Sequence, residues 1–467
     1  MTEQSVRRRP LLAVGVGAMV GLAPLLAGIG ALGGVATRNN PDNSSTELSG
    51  SSLFNVRRIN STLATDVSVA NLRLELGEFS ATLGDNACLA VKSFNRTVDL
   101  VNSDTALIPA SNIKIVTALV ALEVFGPEHR FETKIVGNVA DGVAAGNLFI
   151  VGGGDPVLSL PMYRSVEKYP TTFFTDVNVL LDALVEAGVT RIEGSLVGDG
   201  TLFDEQRYPS GWSADVKKTF GGPIGALLLD DGSVFGLSQK PDDPAFAASQ
   251  ELSARLRRLG VAVIGSAVAG KADTDLPTVA SIKSAPLADL VTDMLTNSDN
   301  NTAEMLLKSI GLSVKGVAST AAGAGVVVEQ LSAWGYNTEN LIIADGSGLD
   351  RSNRLTCVLM VDLLNSTSGR TLLQKLPLGG SSGTLIDAFT EPPALGVVRA
   401  KTGSLTGVKA LSGFASEKAG APIFALFYNG SGVNEESYFR PRWTDLVTRL
   451  LSFARPPDSA LDVTPGQ

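Results

Sequence analysis

The stretch "ASNIKIVTALVALEVF", residues 110–125, constrains the fold more than any other. It is apolar on nearly every side, and a helix of that kind is found buried inside a larger core. A chain that contains it must enclose one helix with other layers. Within the stretch, Lys114 is the only charge between Asp104 and Glu123, and Ser111 stands three residues before it. Positions i and i+3 share a helix face, so hydroxyl and amine lie side by side. The plain reading is a lysine that snorkels to solvent and a serine that caps the helix. The S-x-x-K pattern also recurs at Ser165 and Lys168 in a polar segment, so alone it decides nothing.

At 467 residues the chain exceeds the usual size of one domain. Its composition, 44% hydrophobic and 18% charged, suits a globular α/β or α+β protein. The net charge is −9 and no basic patch stands out beyond the N-terminus, so nucleic acid is not an expected partner. The N-terminus reads "RRRP" and then carries no charge from Pro10 to Thr37. A basic start before an apolar run marks an export signal, with Gly34 and Ala36 at a small-residue cleavage site. The run is also long enough to stay as a membrane anchor. Both readings put the rest of the chain outside the cytoplasm. Residues 1–36 are read as signal or anchor, 37–55 as a flexible polar spacer and 456–467 as a disordered tail.

Two cysteines, Cys88 and Cys357, both sit in apolar segments. The expectation is two free, buried thiols behaving as small hydrophobes, although an exported chain also permits a disulfide. There is one histidine, His129. That count rules out a two-histidine metal site and would force any Ser-His-Asp triad to use His129. The "GGSSG" at 379–383 matches a nucleophile elbow around Ser381. It lacks the amphipathic helix of that elbow and any downstream histidine, so it reads as a glycine-rich loop. No metal and no cofactor are expected. Serine chemistry in this chain must use a lysine as its base.

Further along, Ser298, Asp299 and Asn300 lie between two helical patterns, in residues with turn chemistry. Lys401, Thr402 and Gly403 close a β-branched run, followed by strand patterns through Val408–Phe414 and in "APIFALFYNG". S-x-N is weak alone, since Ser93 and Asn95 also form it, but K-T-G occurs once. S-x-x-K, S-D-N and K-T-G in this order are the set of penicillin-binding proteins and class A β-lactamases. Ser111 then reads as nucleophile and Lys114 as its base. Burial and a second nearby cation, Lys401, lower the proton affinity of Lys114 so that it can act as one. Ser298 would relay the proton to the leaving amine, and Asn300 would order Lys114 or hold the substrate amide. Lys401 and Thr402 would bind the substrate carboxylate. Backbone N–H groups of Ser111 and of Ser404, just past Gly403, would form the oxyanion hole.

Between Lys114 and Ser298 lie 183 residues, more than a compact serine β-lactamase needs. They carry short strand patterns with Gly/Asp turns and a helical "TDVNVLLDALVEAG". The whole chain from about residue 60 to 455 resembles the D-alanyl-D-alanine carboxypeptidase/endopeptidase family of class C low-molecular-mass penicillin-binding proteins, the S13 peptidase type. "LIPASNIKIVTA", "GNLFIVGGGDPVL", "SDNNTAEMLL", "ADGSGLDRSNRLT", "LPLGGSSGTL" and "AKTGSLTGVKALSGFA" carry the resemblance. It implies an α+β penicillin-recognition domain, with a central antiparallel sheet flanked by helices, from 56–129 and 286–455. A mostly β domain would be inserted at 130–285. It also implies cleavage of D-Ala from peptidoglycan stem peptides, or of D-Ala–diaminopimelate cross-links, on the periplasm or cell-wall side of the membrane, with β-lactam antibiotics as covalent inhibitors. By the same resemblance, Asp155 and Arg351 fall where family members recognise the diaminopimelate side chain. Their plain readings are a turn cap and an ion pair with Asp345 or Asp350. Leu160 stands where some members have an aromatic residue, and Thr406 where some have Gln. The insertion is shorter than in the largest members, so their third domain is not expected. The rival readings are a serine β-lactamase and a catalytically silent peptidoglycan-binding protein.

Overall fold

The strand Ile423–Asn429 is apolar along its whole buried length, as in a sheet covered on both faces. With a side-chain period of two, Ile423, Ala425 and Phe427 enter one core while Phe424, Leu426 and Tyr428 enter another. The computed structural model describes residues 61–93, 95–165, 172–234, 239–416 and 420–453. The calls on 1–36, 37–55 and 456–467 lie outside the described residues. The central sheet is antiparallel throughout, in the order Arg399–Leu405, Val408–Phe414, Ile423–Asn429, Ala87–Ser93, Arg96–Val101. The α+β architecture expected from the sequence is the one observed.

One face of this sheet carries the helix Ile113–Phe125, buried at every position from Ile113 to Ala121. Helices Leu287–Asn297, Asn300–Lys315, Thr320–Ala333 and Cys357–Asn365 share its core. The all-round apolar sequence has its explanation in this enclosure. Helices Ser61–Ser80 and Glu436–Phe453 pack together on the opposite face.

Between Phe125 and Leu287 the chain builds a separate core from Ile135, Leu148, Ile150, Leu180, Leu184 and Leu252. A five-stranded mixed sheet runs Val268–Ala269, Leu196–Asp199, Leu148–Val151, Glu132–Val136, Thr278–Lys283. A small parallel sheet joins Val143–Ala144, Arg191–Ile192 and Ala262–Val263. Helix Val177–Glu186 starts at Asp176, whose carboxylate accepts from Asn178 N–H. Helix Pro244–Arg258 starts in the same way at Asp243. The entering strand Glu132–Val136 pairs with the departing strand Thr278–Lys283. The segment therefore leaves and re-enters at one place, which lets a helical core continue past it.

The cysteines correct the sequence expectation: Cys88 and Cys357 form a disulfide, with Cα atoms 5.9 Å apart. Both are fully buried, as expected of free thiols. Burial does not distinguish a thiol from a bridge, and a separation of 269 residues conceals the contact. The bridge ties the central sheet to the N-terminus of helix Cys357–Asn365. Alkylation of unfolded, unreduced protein should leave both sulfurs unlabelled. Joint Cys88→Ala and Cys357→Ala replacement should lower the unfolding free energy by about 2–4 kcal/mol in denaturant titration.

Candidate active site

Ser111 lies in the one-turn 3₁₀ segment Ala110–Asn112 that leads into the buried helix. Ala110 has a positive φ of 46°, an uncommon conformation for a residue with a side chain. The loop 345–350 presses on this turn. A Cβ at Gly348, whose φ is +87°, would lie 2.0 Å from the Ala110 carbonyl oxygen. Lys114, one turn on, is fully buried. Its Nζ donates to Ser111 Oγ at 3.1 Å, Asn300 Oδ1 at 2.7 Å and Ser347 O at 2.6 Å. Burial lowers its pKa to about 8, against the opposing charges of Asp345, Glu304 and Asp299. A substantial fraction is therefore neutral near that pH, one hydrogen bond from the serine.

Helix Leu287–Asn297 ends at Ser298, held left-handed at φ 62°, ψ 39°. Such a conformation costs about 1–3 kcal/mol and persists where the surroundings impose it. Asp299 then caps helix Asn300–Lys315, accepting from Thr302 N–H at 2.9 Å. The corner presents Ser298 Oγ to Lys401 Nζ at 2.9 Å and Asn300 Oδ1 to Lys114. Asn300 Nδ2 donates to Phe220 O at 2.7 Å, and Asn301 Oδ1 accepts from Gly222 N–H at 2.8 Å. The inserted segment therefore braces the corner.

Lys401, Thr402 and Gly403 lie on Arg399–Leu405, the outermost strand of the central sheet. Lys401 is fully buried, and burial together with the Lys114 charge pulls its pKa well below the usual lysine value. Thr402 Oγ1 donates to Thr384 Oγ1 at 2.9 Å, in the turn after the glycine-rich loop. Ser381 does not take part in this geometry; its hydroxyl donates to Gly379 O at 3.4 Å. Gly403 lies against the turn that carries Ser111: a Cβ there would be 2.7 Å from Pro109 O and 2.9 Å from Asn112 Nδ2. Ser404 is exposed. Pro377 and Leu378 cover the outer edge only at Arg399 and Ala400. Among the described residues, no strand pairs with that edge further along.

Ser111, Lys114 and Asn300 are thus in one hydrogen-bonded group, and Ser298 and Lys401 in a second. Asp155 and Arg351 have other partners. Asp155 is buried, accepts from Val157 N–H at 3.0 Å, and is pushed up to about 6 by burial. Arg351 is exposed and donates to Thr406 O at 2.8 Å, rather than pairing with Asp345 or Asp350. His129 stacks on Phe125 and meets Phe131 edge-on at the far end of the helix that begins beyond Ser111. Sequence reasoning missed Glu304, Asp345, Ser347 and Trp212. Glu304 and Asp345 are fully buried, and Asp345 accepts from Trp212 Nε1 at 2.8 Å and Gly348 N–H at 2.8 Å. A glutamate inside the apolar run "TAEMLL" was the available signal.

The profile of the D-Ala-D-Ala carboxypeptidase 3 (S13) family matches residues 79–240 and 234–449. A D-alanyl-D-alanine carboxypeptidase of Actinomadura sp. (strain R39) is 29% identical over 409 residues, covering 69% of this chain and 73% of the relative. A carboxypeptidase of Mycobacterium tuberculosis is 31% identical over 348 residues, covering 71% and 73%. The crystal structure of penicillin-binding protein 4 from Haemophilus influenzae superposes with a TM-score of 0.68 at 24% identity, over 81% of this chain and 98% of that one. At that identity it speaks for the fold alone. Gly403→Ala should push the outer strand off the turn that carries Ser111. Covalent labelling of Ser111 should slow about tenfold or more, equivalent to about 1.4 kcal/mol in the barrier, while circular dichroism stays native.

Proposed function

The chain belongs to the D-Ala-D-Ala carboxypeptidase 3 (S13) family, and on that premise we propose how its residues perform the work of a serine D,D-carboxypeptidase. The observation that carries the reading is the 3.1 Å contact between Lys114 Nζ and Ser111 Oγ, with Lys114 lowered to about 8. A stem peptide enters along the open outer edge of strand Arg399–Leu405, adding as a strand. Its terminal carboxylate meets Lys401 and Thr402. Lys401 is buried with its charge disfavoured, and the carboxylate supplies the counter-charge that restores it.

Ser111 Oγ attacks the carbonyl carbon of the D-Ala–D-Ala bond while its proton passes to neutral Lys114. The 3.1 Å contact reverses direction in this step, hydroxyl donating to amine. Backbone N–H groups of Ser111 and Ser404 receive the developing oxyanion. The C–N bond then breaks, and the proton that Lys114 took from Ser111 is relayed through the Ser298 hydroxyl to the nitrogen of the departing D-Ala, which leaves Lys114 neutral for the hydrolytic step. Water hydrolyses the ester and restores Ser111. Asn300 keeps Lys114 aimed and faces the peptide's amide. The same site takes D-Ala–diaminopimelate cross-links as an endopeptidase. A β-lactam acylates Ser111 in the same way, but its leaving nitrogen stays tethered to the acyl group and blocks the water.

The cell-wall side of the membrane is the place of action, with the N-terminus either cleaved or kept as an anchor. The Cys88–Cys357 bridge supports this reading, because such bonds persist outside the reducing cytoplasm. Arg351, exposed beside Thr406, and Asp155 are assigned the carboxylate and amine of the diaminopimelate side chain.

Ser111→Ala should abolish both penicillin labelling and D-Ala release; full labelling of that variant would move the nucleophile elsewhere. Lys114→Arg should be nearly inactive, since arginine keeps its proton. In the wild type, acylation requires the deprotonated amine. Its rate should climb about tenfold per pH unit below about 8 and level off above. Intact-protein mass spectrometry reads all three, and a penicilloyl adduct that vanishes rapidly without D-Ala release would indicate a β-lactamase. Removing Asp155 or Arg351 should lower kcat/KM on diaminopimelate substrates about 10- to 100-fold, while simple acyl-D-Ala-D-Ala peptides change little. Equal losses on both would make the two residues structural.

A further inference from the structure

Helix Asn300–Lys315 turns one face to the catalytic centre, and that face carries Asn300, Glu304 and Lys308 at intervals of four. Asn300 holds Lys114 directly. Glu304 holds it at one remove. Glu304 is fully buried, and both of its carboxylate oxygens accept from Gly346 N–H, at 3.0 and 3.2 Å. Oε1 also accepts from Ser347 N–H at 2.8 Å. Ser347 O, on the next peptide, accepts from Lys114 Nζ at 2.6 Å. We propose that Glu304 is a positioning residue that sets the pH at which Lys114 becomes a base.

The charges around the pair support this. Lys114 is faced by Asp345, Glu304 and Asp299, and lies close enough to Lys401 to depress it. Asp345 is embedded among donors, taking Gly348 N–H, Asp350 N–H, Trp212 Nε1 and Asn353 Nδ2, so its loss would unseat the whole loop. Glu304 is held by the two N–H groups and the side chain of Ser347, all within one short stretch of the loop. Lys308, the cation next to it on the helix, is taken up by Asp204 and by Gln206 O at 2.7 Å. Lys308 therefore meets Glu304 through charge at a distance and not through a hydrogen bond. Burial first, and Asp345 second, raise Glu304 to about 8, while the Ser347 side chain and the two N–H groups oppose them. Glu304 and Lys114 therefore titrate in the same range, and the carboxylate favours the ammonium only to the extent that it has itself lost its proton.

The sign follows directly. A carboxylate near Lys114 favours the ammonium, so removing its charge lets the amine lose its proton at lower pH. In Glu304→Gln, the acid limb of the acylation profile should move down, by less than about one pH unit because Glu304 is itself partly protonated across the limb, whatever the plateau rate. The measurement is the second-order rate of penicillin acylation from pH 5.5 to 10, read by intact-protein mass spectrometry, with thermal melting recorded in parallel. A limb that stays in place or moves up overturns the proposal, even if the melting temperature falls. If the Gln variant does not fold, Glu304→Asp decides. It keeps the charge but withdraws it by one methylene, so its limb must lie below the wild type by a smaller step; a limb at or above the wild-type position overturns the proposal. The inference rests on Lys114 being the base. Failure of that reading shows as wild-type acylation with no acid limb, whereas failure of the inference shows as a wild-type limb that the Glu304 variants do not lower.

Discussion

Lys114 is fully buried and, when charged, has three protons to place. Its three acceptors come from far-apart points of the chain: Ser111, Asn300 and Ser347. An unsatisfied buried charge would cost several kcal/mol, so helix, corner and loop must all be in position at once. That requirement explains local features which look unfavourable alone. Ala110 and Ser298 sit at positive φ, and Gly348 approaches the Ala110 carbonyl more closely than any side chain permits. Each distortion brings an acceptor, or the backbone behind it, to the amine.

The inserted segment belongs to the same system. Its Phe220 carbonyl and Gly222 N–H hold Asn300 and Asn301, its Trp212 indole holds Asp345, and its Asp204 takes the ammonium of Lys308. These contacts meet the helix and the loop that surround Lys114. The insertion thus has its own hydrophobic core but shares its polar contacts with the penicillin-recognition domain. Strain or movement in one is felt in the hydrogen bonds of the other.

Much of this was legible in the sequence because periodicity and motif each leave a local trace. The all-round apolar helix announced its burial, the apolar run in "APIFALFYNG" announced a strand, and S-x-x-K, S-D-N and K-T-G announced the polar groups that the structure gathers around Lys114 and Lys401. What escaped was non-local. Cys88 and Cys357 become neighbours only once the sheet and the helix after the 345–350 loop are assembled. Glu304 looked like one polar residue in a helix, since the backbone N–H groups that engage it carry no sequence signature. Asp155 carries two readings at once: the local Asp-Pro turn accounts for its hydrogen bond from Val157 N–H, and the family resemblance is the ground for assigning it to the substrate.

The disulfide has a topological consequence. Its 269-residue span closes a covalent ring that contains Ser111, Lys114, Ser298, Asn300 and the whole inserted segment, while Lys401 and its strand stand outside. A single protease cut anywhere inside the ring opens the loop without dividing the molecule. The two sides of the cleft stay fastened through the sheet and helix that the bridge joins. In a compartment shared with other hydrolases, such a chain can be nicked in its long excursion and still be one polymer.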